Sequence, residues 1–122
     1  MAFYSALRCS LLKVLIAICE HQLLAAREFI YYYCPNTTNY TPNSSYEANL
    51  RSVLSDLSSN NGANSFFYNT MAGENSPDAT YGLLLCRGDV TFDACGECVQ
   101  TATTEIVQRC KKEKEEIIWY DY

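Results

Sequence analysis

The sequence predicts an α+β fold, two helices packed on an antiparallel sheet of four to five strands and stapled by disulfides. Three observations carry the prediction. Aromatic and β-branched runs bounded by turn residues mark short strands, and two stretches of three-and-four apolar spacing mark helices between them. Strands interleaved with only two helices, without βαβ alternation, give α+β rather than α/β. The third observation is the stretch CRGDVTFDACGEC, residues 86–98, in which Cys86 lies nine residues before Cys95 and Cys98 lies three after it. A strand ends at Cys86, Arg87-Gly88-Asp89 turns the chain, and a helix opens near Thr91-Phe92-Asp93 with two thiols at its start. That arrangement suits disulfide stapling of strand to helix.

The first 26 residues read as an export signal: Arg8 and Lys13 supply positive charge, Val14 to Cys19 an apolar core, and Leu23-Leu24-Ala25-Ala26 a small-residue end. Cleavage is expected between Leu24 and Arg27, so residues 1–26 are a signal peptide and 27–122 a single domain. Removing Arg8, Lys13 and Glu20 takes the net charge from −5 to −6. Cys9 and Cys19 leave too, so the mature chain keeps Cys34, Cys86, Cys95, Cys98 and Cys110. Spacing alone does not pair these five, and an odd count leaves one over. A domain of this size gains from bridges in an oxidising compartment.

The mature chain opens on a strand, residues 29–34 (FIYYYC), which Pro35 stops. The polar loop that follows holds three glycosylation acceptors, Asn36, Asn39 and Asn43, each two residues before Thr or Ser. Ser44 and Glu47 form a capping-box pattern, and Tyr46, Leu50, Val53, Leu54 and Leu57 share one face of the helix behind it. Residues 58–62 (SSNNG) end that helix. Strands are predicted over 65–70 and 79–86, joined by the turn-rich 72–78, and the second helix over 92–110. Lys111 to Glu116 is a charge run expected as a solvated connection, and Ile117-Ile118-Trp119-Tyr120 opens a last strand.

At this point the residues resemble a family. Cys86-x8-Cys95-x2-Cys98 after Tyr81-Gly82-Leu-Leu-Leu, with Tyr33-Cys34, Asn49-Leu50 and Ile118-Trp119-Tyr120-Asp121, is similar to the ginkbilobin-2-like (salt-stress response/antifungal) domain of plant cysteine-rich receptor-like kinases and cysteine-rich repeat secretory proteins. The resemblance implies bridges Cys34–Cys110 and Cys86–Cys95, worth about 4–5 and 2–3 kcal/mol from chain entropy. It also implies a third bridge from Cys98 to a cysteine past Tyr122, so Cys98 is expected as a free, buried thiol and the last strand as truncated. An unbridged thiol beside a short strand leads to the expectation of a disulfide-linked homodimer through Cys98.

Function narrows by exclusion. Net acidity disfavours a nucleic-acid partner, and no apolar run of about 20 residues after the leader spans a membrane. Zinc needs four ligands, and the one His, His21, leaves with the leader, so neither a metal nor a cofactor is expected. No nucleophilic triad or carboxylate pair stands out, and Cys95-Gly-Glu-Cys98 lacks the context of a redox motif. No enzyme is expected. The family's mannose site uses an Asn after the first cysteine, an Arg in the last strand and a Glu near its end. Here Pro35 and Ile117 stand at the first two places and Tyr122 precedes the third. The resemblance therefore implies a secreted extracellular (apoplastic) binding module of the defence kind, contacting a protein or glycan, without an intact mannose site. The alternative is a non-functional or regulatory fragment of a tandem-domain secretory protein or kinase ectodomain.

Overall fold

The first helix forms where Ser44 can cap it. Its hydroxyl accepts from the Glu47 N–H at 3.3 Å, and the Glu47 carboxylate reaches back to the Asn43 N–H at 2.5 Å. This reciprocal cap starts α1, Ser45–Ser58, whose buried residues are Tyr46, Leu50, Val53, Leu54 and Leu57. The structure is a computed structural model that describes residues 4–10, 28–35, 38–59 and 66–121, with 4–10, Glu28 and Asp121 described by backbone alone. The second helix, α2, Phe92–Arg109, is capped by Thr91, whose hydroxyl accepts from the Ala94 N–H at 3.1 Å. It buries Ala94, Cys95, Cys98, Val99, Ala102 and Ile106.

The strands are β1 (Tyr4–Ser10), β2 (Glu28–Tyr33), β3 (Phe67–Ala72), β4 (Thr80–Cys86) and β5 (Glu116–Asp121), in one sheet of order β2-β5-β1-β4-β3. β2 with β5 and β3 with β4 are antiparallel pairs. β1 is different: it lies parallel to both β4 and β5 and is the element that joins the two pairs. This central strand comes from the stretch read as an export signal.

Both helices lie on one face of the sheet. Thr80, Gly82, Leu84 and Cys86 of β4 and Ile118 and Tyr120 of β5 point into the core beneath them. At Gly82 the approach leaves no room for a side chain, because a Cβ would run into Val53 and stand 2.9 Å from Leu57 Cδ1. Asn49 ties α1 to the β3–β4 turn by donating its amide to the Asp78 carbonyl at 3.0 Å. Tyr68 on β3 donates its hydroxyl to Asp56 on α1 at 2.9 Å. Each large apolar side chain buried here stabilises the fold by about 1.5–3 kcal/mol.

Disulfides fasten the helix α2 at both ends. Cys86–Cys95 ties the end of β4 to the first turn of α2, with Cα atoms 5.9 Å apart. Cys34–Cys110 ties the end of β2 to the end of α2, with Cα atoms 5.6 Å apart. Cys98 corrects an expectation: it is not a free thiol but is disulfide-bonded and fully buried. The other cysteines with described side chains are bonded to one another, so its partner lies outside those residues. The dimer expected through Cys98 loses its basis with that bond. The charge run also departs from expectation, since it is not solvated throughout. Lys111, Lys112 and Glu115 are exposed, but Glu116 opens β5 in phase with Ile118 and Tyr120 and is 1% exposed.

Candidate functional site

The sheet has a second face, opposite the one on which the described helices α1 and α2 lie. β4 alternates along its length, with Tyr81, Leu83 and Leu85 turned away from the helices. In phase with them on β3 stand Phe67, Asn69 and Met71, and on β5 Ile117 and Trp119. The register on β2 puts Tyr31 opposite Trp119 and Tyr33 opposite Ile117. Level pairs across the sheet thus run Tyr31, Trp119, then Leu85 and Phe67 beyond β1, a row spanning its full width. Tyr31 and Phe67 are each 56% exposed, Leu85 41% and Met71 40%. Tyr31 and Trp119 rings sit 5.6 Å apart.

Over β3 and β4 this face dips into an open groove of about 640 Å³ lined by Phe67, Asn69, Met71, Tyr81 and Leu83. No described side chain in these rows carries a charge. The described side chains of this face are thus mostly apolar or aromatic, and several are exposed; between its two halves runs β1, described by backbone alone, with Arg8 at the level of Trp119 and Leu85. Sequence reading missed it because Leu83-Leu84-Leu85 and the Tyr31–Tyr33 run show no alternation. The signal available was that both phases of the strands are apolar, which a sheet buried on one face does not need.

A second notable cluster lies at the opposite side of the sheet, where β5 begins. Neither carboxylate oxygen of Glu116 has a hydrogen-bond partner. Burial, then the neighbouring Glu113, pushes its pKa up from 4.5 to about 8. Tyr46 beside it donates to the Lys114 carbonyl at 3.0 Å, stacks on Tyr40 at 5.3 Å and carries the Lys114 ammonium 4.8 Å above its ring. Burial and the Glu116 charge raise both tyrosine pKa values. The arrangement stores a proton but presents no nucleophile. Among the described residues no group of three His, Cys, Asp or Glu is placed to hold a metal ion.

The residues singled out from sequence fall elsewhere. Cys95 and Cys98 are each tied in disulfides, which removes a free CxxC thiol pair. The Arg87 guanidinium pairs with Asp89 at 2.7 Å, so that tripeptide closes on itself. Pro35 is half-buried after β2, and Ile117 is half-buried on the open face opposite Tyr33. Asn39 and Asn43 are exposed, Asn43 at a φ of 61°, while Asn36 lies outside the described residues. Among the described residues no helix is long and apolar enough to cross a membrane.

Comparison with known proteins gives consistent matches. The profile of the salt stress response/antifungal family matches residues 33–122. Cysteine-rich receptor-like protein kinase 25 of Arabidopsis thaliana is 47% identical over 114 residues, which are 92% of this chain and 17% of that one. Cysteine-rich repeat secretory protein 9 of the same plant is 38% identical over 105 residues, 86% of this chain and 32% of that one. Among solved structures, the tandem DUF26 ectodomain of the Arabidopsis thaliana cysteine-rich receptor-like protein PDLP5 superposes with a TM-score of 0.68 at 30% identity, covering 75% of this chain and 45% of that one. That of PDLP8 gives 0.67 at 30% identity, covering 74% and 43%. The chain thus spans under half of each tandem ectodomain and about a sixth to a third of the two sequence relatives.

Proposed function

Because this chain belongs to the salt stress response/antifungal family and has the DUF26 fold, we propose that it is a secreted, non-catalytic binding module of the plant cell exterior. Its sheet face docks protein rather than sugar. The observation that carries this reading is the row of aromatic and apolar side chains Tyr31, Trp119, Leu85 and Phe67 on the face opposite α1 and α2. Protein interfaces bury such aromatic anchors at their centre, whereas a sugar site needs several fixed polar groups in a cleft. Among its described side chains the face offers Asn69 and tyrosine hydroxyls but no charged fork.

The occupant that fits is a second domain of the same fold. Relatives of known structure are tandem DUF26 ectodomains, and this chain matches less than half of each. Two open sheet faces packed on one another bury both aromatic rows at once, and the helices of each domain stay outside. Export, an apoplastic location and glycans on Asn39 and Asn43 agree with such a module, since both acceptors are exposed in the loop before α1.

Sedimentation of the purified full chain tests the reading. Concentration-dependent association is expected, and Leu85→Lys with Phe67→Lys should abolish it while the circular dichroism stays unchanged. A chain that remains monomeric at millimolar concentration and ignores a second DUF26 domain added in trans would remove the face as a docking surface.

A further inference from the structure

β5 opens on a carboxyl side chain in a dry place. Glu116 is 1% exposed, and neither its two oxygens nor Oε2 of Glu113 has a hydrogen-bond partner. Against it lies a clasp of two short segments, residues 38–40 before α1 and residues 111–115 between α2 and β5. Asn39 and Glu113 form an antiparallel bridge, the Tyr40 N–H donates to the Lys112 carbonyl at 2.8 Å and the Lys114 N–H to the Thr38 carbonyl at 2.9 Å. Tyr46 of α1 adds its hydroxyl bond to the Lys114 carbonyl at 3.0 Å. The Glu116 charge acts on Tyr40 and Tyr46, and that of Glu113 acts on Glu116, which sets the carboxyl against the clasp. On either side the chain is fixed, since Cys110 is bridged to Cys34 and Glu116 is level with Ser5 in the ladder with β1. Within the clasp Lys112 holds a φ of 69°, a left-handed conformation that a side chain makes costly.

We propose that Glu116 works this clasp as a proton-operated latch: protonated, it lets residues 38–40 and 111–115 close, and ionised, it opens them locally while the sheet stays folded. A carboxylate without a donor does not stay in such a place, so it takes a proton or reaches water. Water comes most easily through the clasp, which two main-chain bonds and one tyrosine hydroxyl hold shut. A route through the sheet would break the ladders on both sides of β5. The groups that face the carboxyl are Glu113 from its own segment, Tyr40 from the loop and Tyr46 from α1. The described cations nearby are engaged elsewhere: the Lys114 ammonium lies 4.8 Å over the Tyr46 ring, and Arg51 pairs with Glu47 at 2.7 Å. In the sheet, Ser5 of β1 is level with Glu116, Gly82 of β4 lies beyond it, and Tyr33 ends β2 opposite Ile117. On α2, Glu105 and Arg109 pair with each other beside Tyr120, at the far end of β5. Burial, then Glu113, raises the Glu116 pKa from 4.5 to about 8 in the closed form, whereas in water it returns to the lower value. The open fraction therefore rises about 400-fold from pH 5 to pH 8. Opening frees the loop that carries the acceptors Asn39 and Asn43.

Hydrogen exchange of the full chain by NMR, from pH 5 to pH 8 with and without dilute urea, tests this. The amides of Tyr40 and Lys114 report the clasp, and those of Val99 and Ile106 in the core of α2 report unfolding of the whole domain. After correction for intrinsic exchange, protection at Tyr40 and Lys114 should fall about 400-fold across the range. It should lie below that of α2 at each pH and be unmoved by urea, because a small opening exposes little surface. Protection in α2 falls with pH as well, since unfolding also frees Glu116, but urea lowers it further. In Glu116→Gln all four amides should keep their protection from pH 5 to pH 8. Constant clasp protection in the parent chain, or none even at pH 5, overturns the latch. A fall that matches α2 in size and in urea dependence overturns it too, because the domain then opens as one unit. A fall that persists in Glu116→Gln would give the proton to another group and overturn the assignment.

Discussion

Glu116→Gln should turn a pH-sensitive domain into an insensitive one. Glu116 is 1% exposed and neither oxygen finds a donor, so burial and the nearby Glu113 raise its pKa from 4.5 to about 8 in the folded chain. The folded state therefore holds a proton that the unfolded chain has already released. Stability from this group is complete below pH 4.5 and is lost as pH rises to about 8. At about 1.4 kcal/mol per pH unit, the loss from pH 5 to 8 is about 3–4 kcal/mol, a large part of a small domain's stability. Tyr40 and Tyr46 titrate above this window, and Glu47, held down by the Asn43 N–H and then Arg51, titrates below it. Urea unfolding of both proteins at pH 5, 6, 7 and 8 reads the difference. Glutamine keeps the shape without the charge, so its curve should stay flat and lie about 3 kcal/mol above the parent at pH 8. A parent chain that loses no more stability than the variant over that range would refute the buried, unpartnered carboxyl.

The other predictions concern the frame and the ligand. Replacing Cys34 and Cys110 together by Ser opens a closure of 76 residues and should cost about 4–5 kcal/mol in chemical denaturation; the Cys86 and Cys95 pair, 9 residues apart, should cost about 2–3. Equal losses would mean that chain entropy is not what these bridges contribute. Gly82→Ala drives a methyl group into Val53 and Leu57 and should cost about 1–3 kcal/mol, read as a lowered melting temperature. With Pro35 and Ile117 where the family's sugar contacts stand, calorimetry should find no mannose binding; a millimolar or tighter isotherm would show that other residues serve.

Much of the frame was legible because local rules and tertiary packing agree. The faces of α1 and α2 follow from apolar spacing, and Ser44 and Thr91 cap them as their hydroxyls and positions suggest. Asn49 was visible only as part of a motif, and its bond to the Asp78 carbonyl explains why an amide serves there. What local reading could not reach depends on contacts distant in sequence. Tyr4–Ser10 has no helix or strand signature stronger than its leader character, and only the edges of β4 and β5 make it a strand. Glu116 looked solvated because five charged residues precede it, yet the two-residue period of β5 carries it inward. The open face was hidden by the same run of leucines and tyrosines that made the strands easy to find.

Hydroxyl-radical footprinting of the full chain, alone and with a second DUF26 domain, tests the claim of a protein-docking sheet face most directly. Tyr31, Phe67, Met71 and Leu85 are open to solvent on the bare face, and Val107, 38% exposed on α2, serves as the reference on the helix side. The account predicts that oxidation of the four face residues falls together on complex formation while Val107 stays reactive. Protection of Val107 with the sheet face still reactive, or complex formation that protects neither, would contradict it.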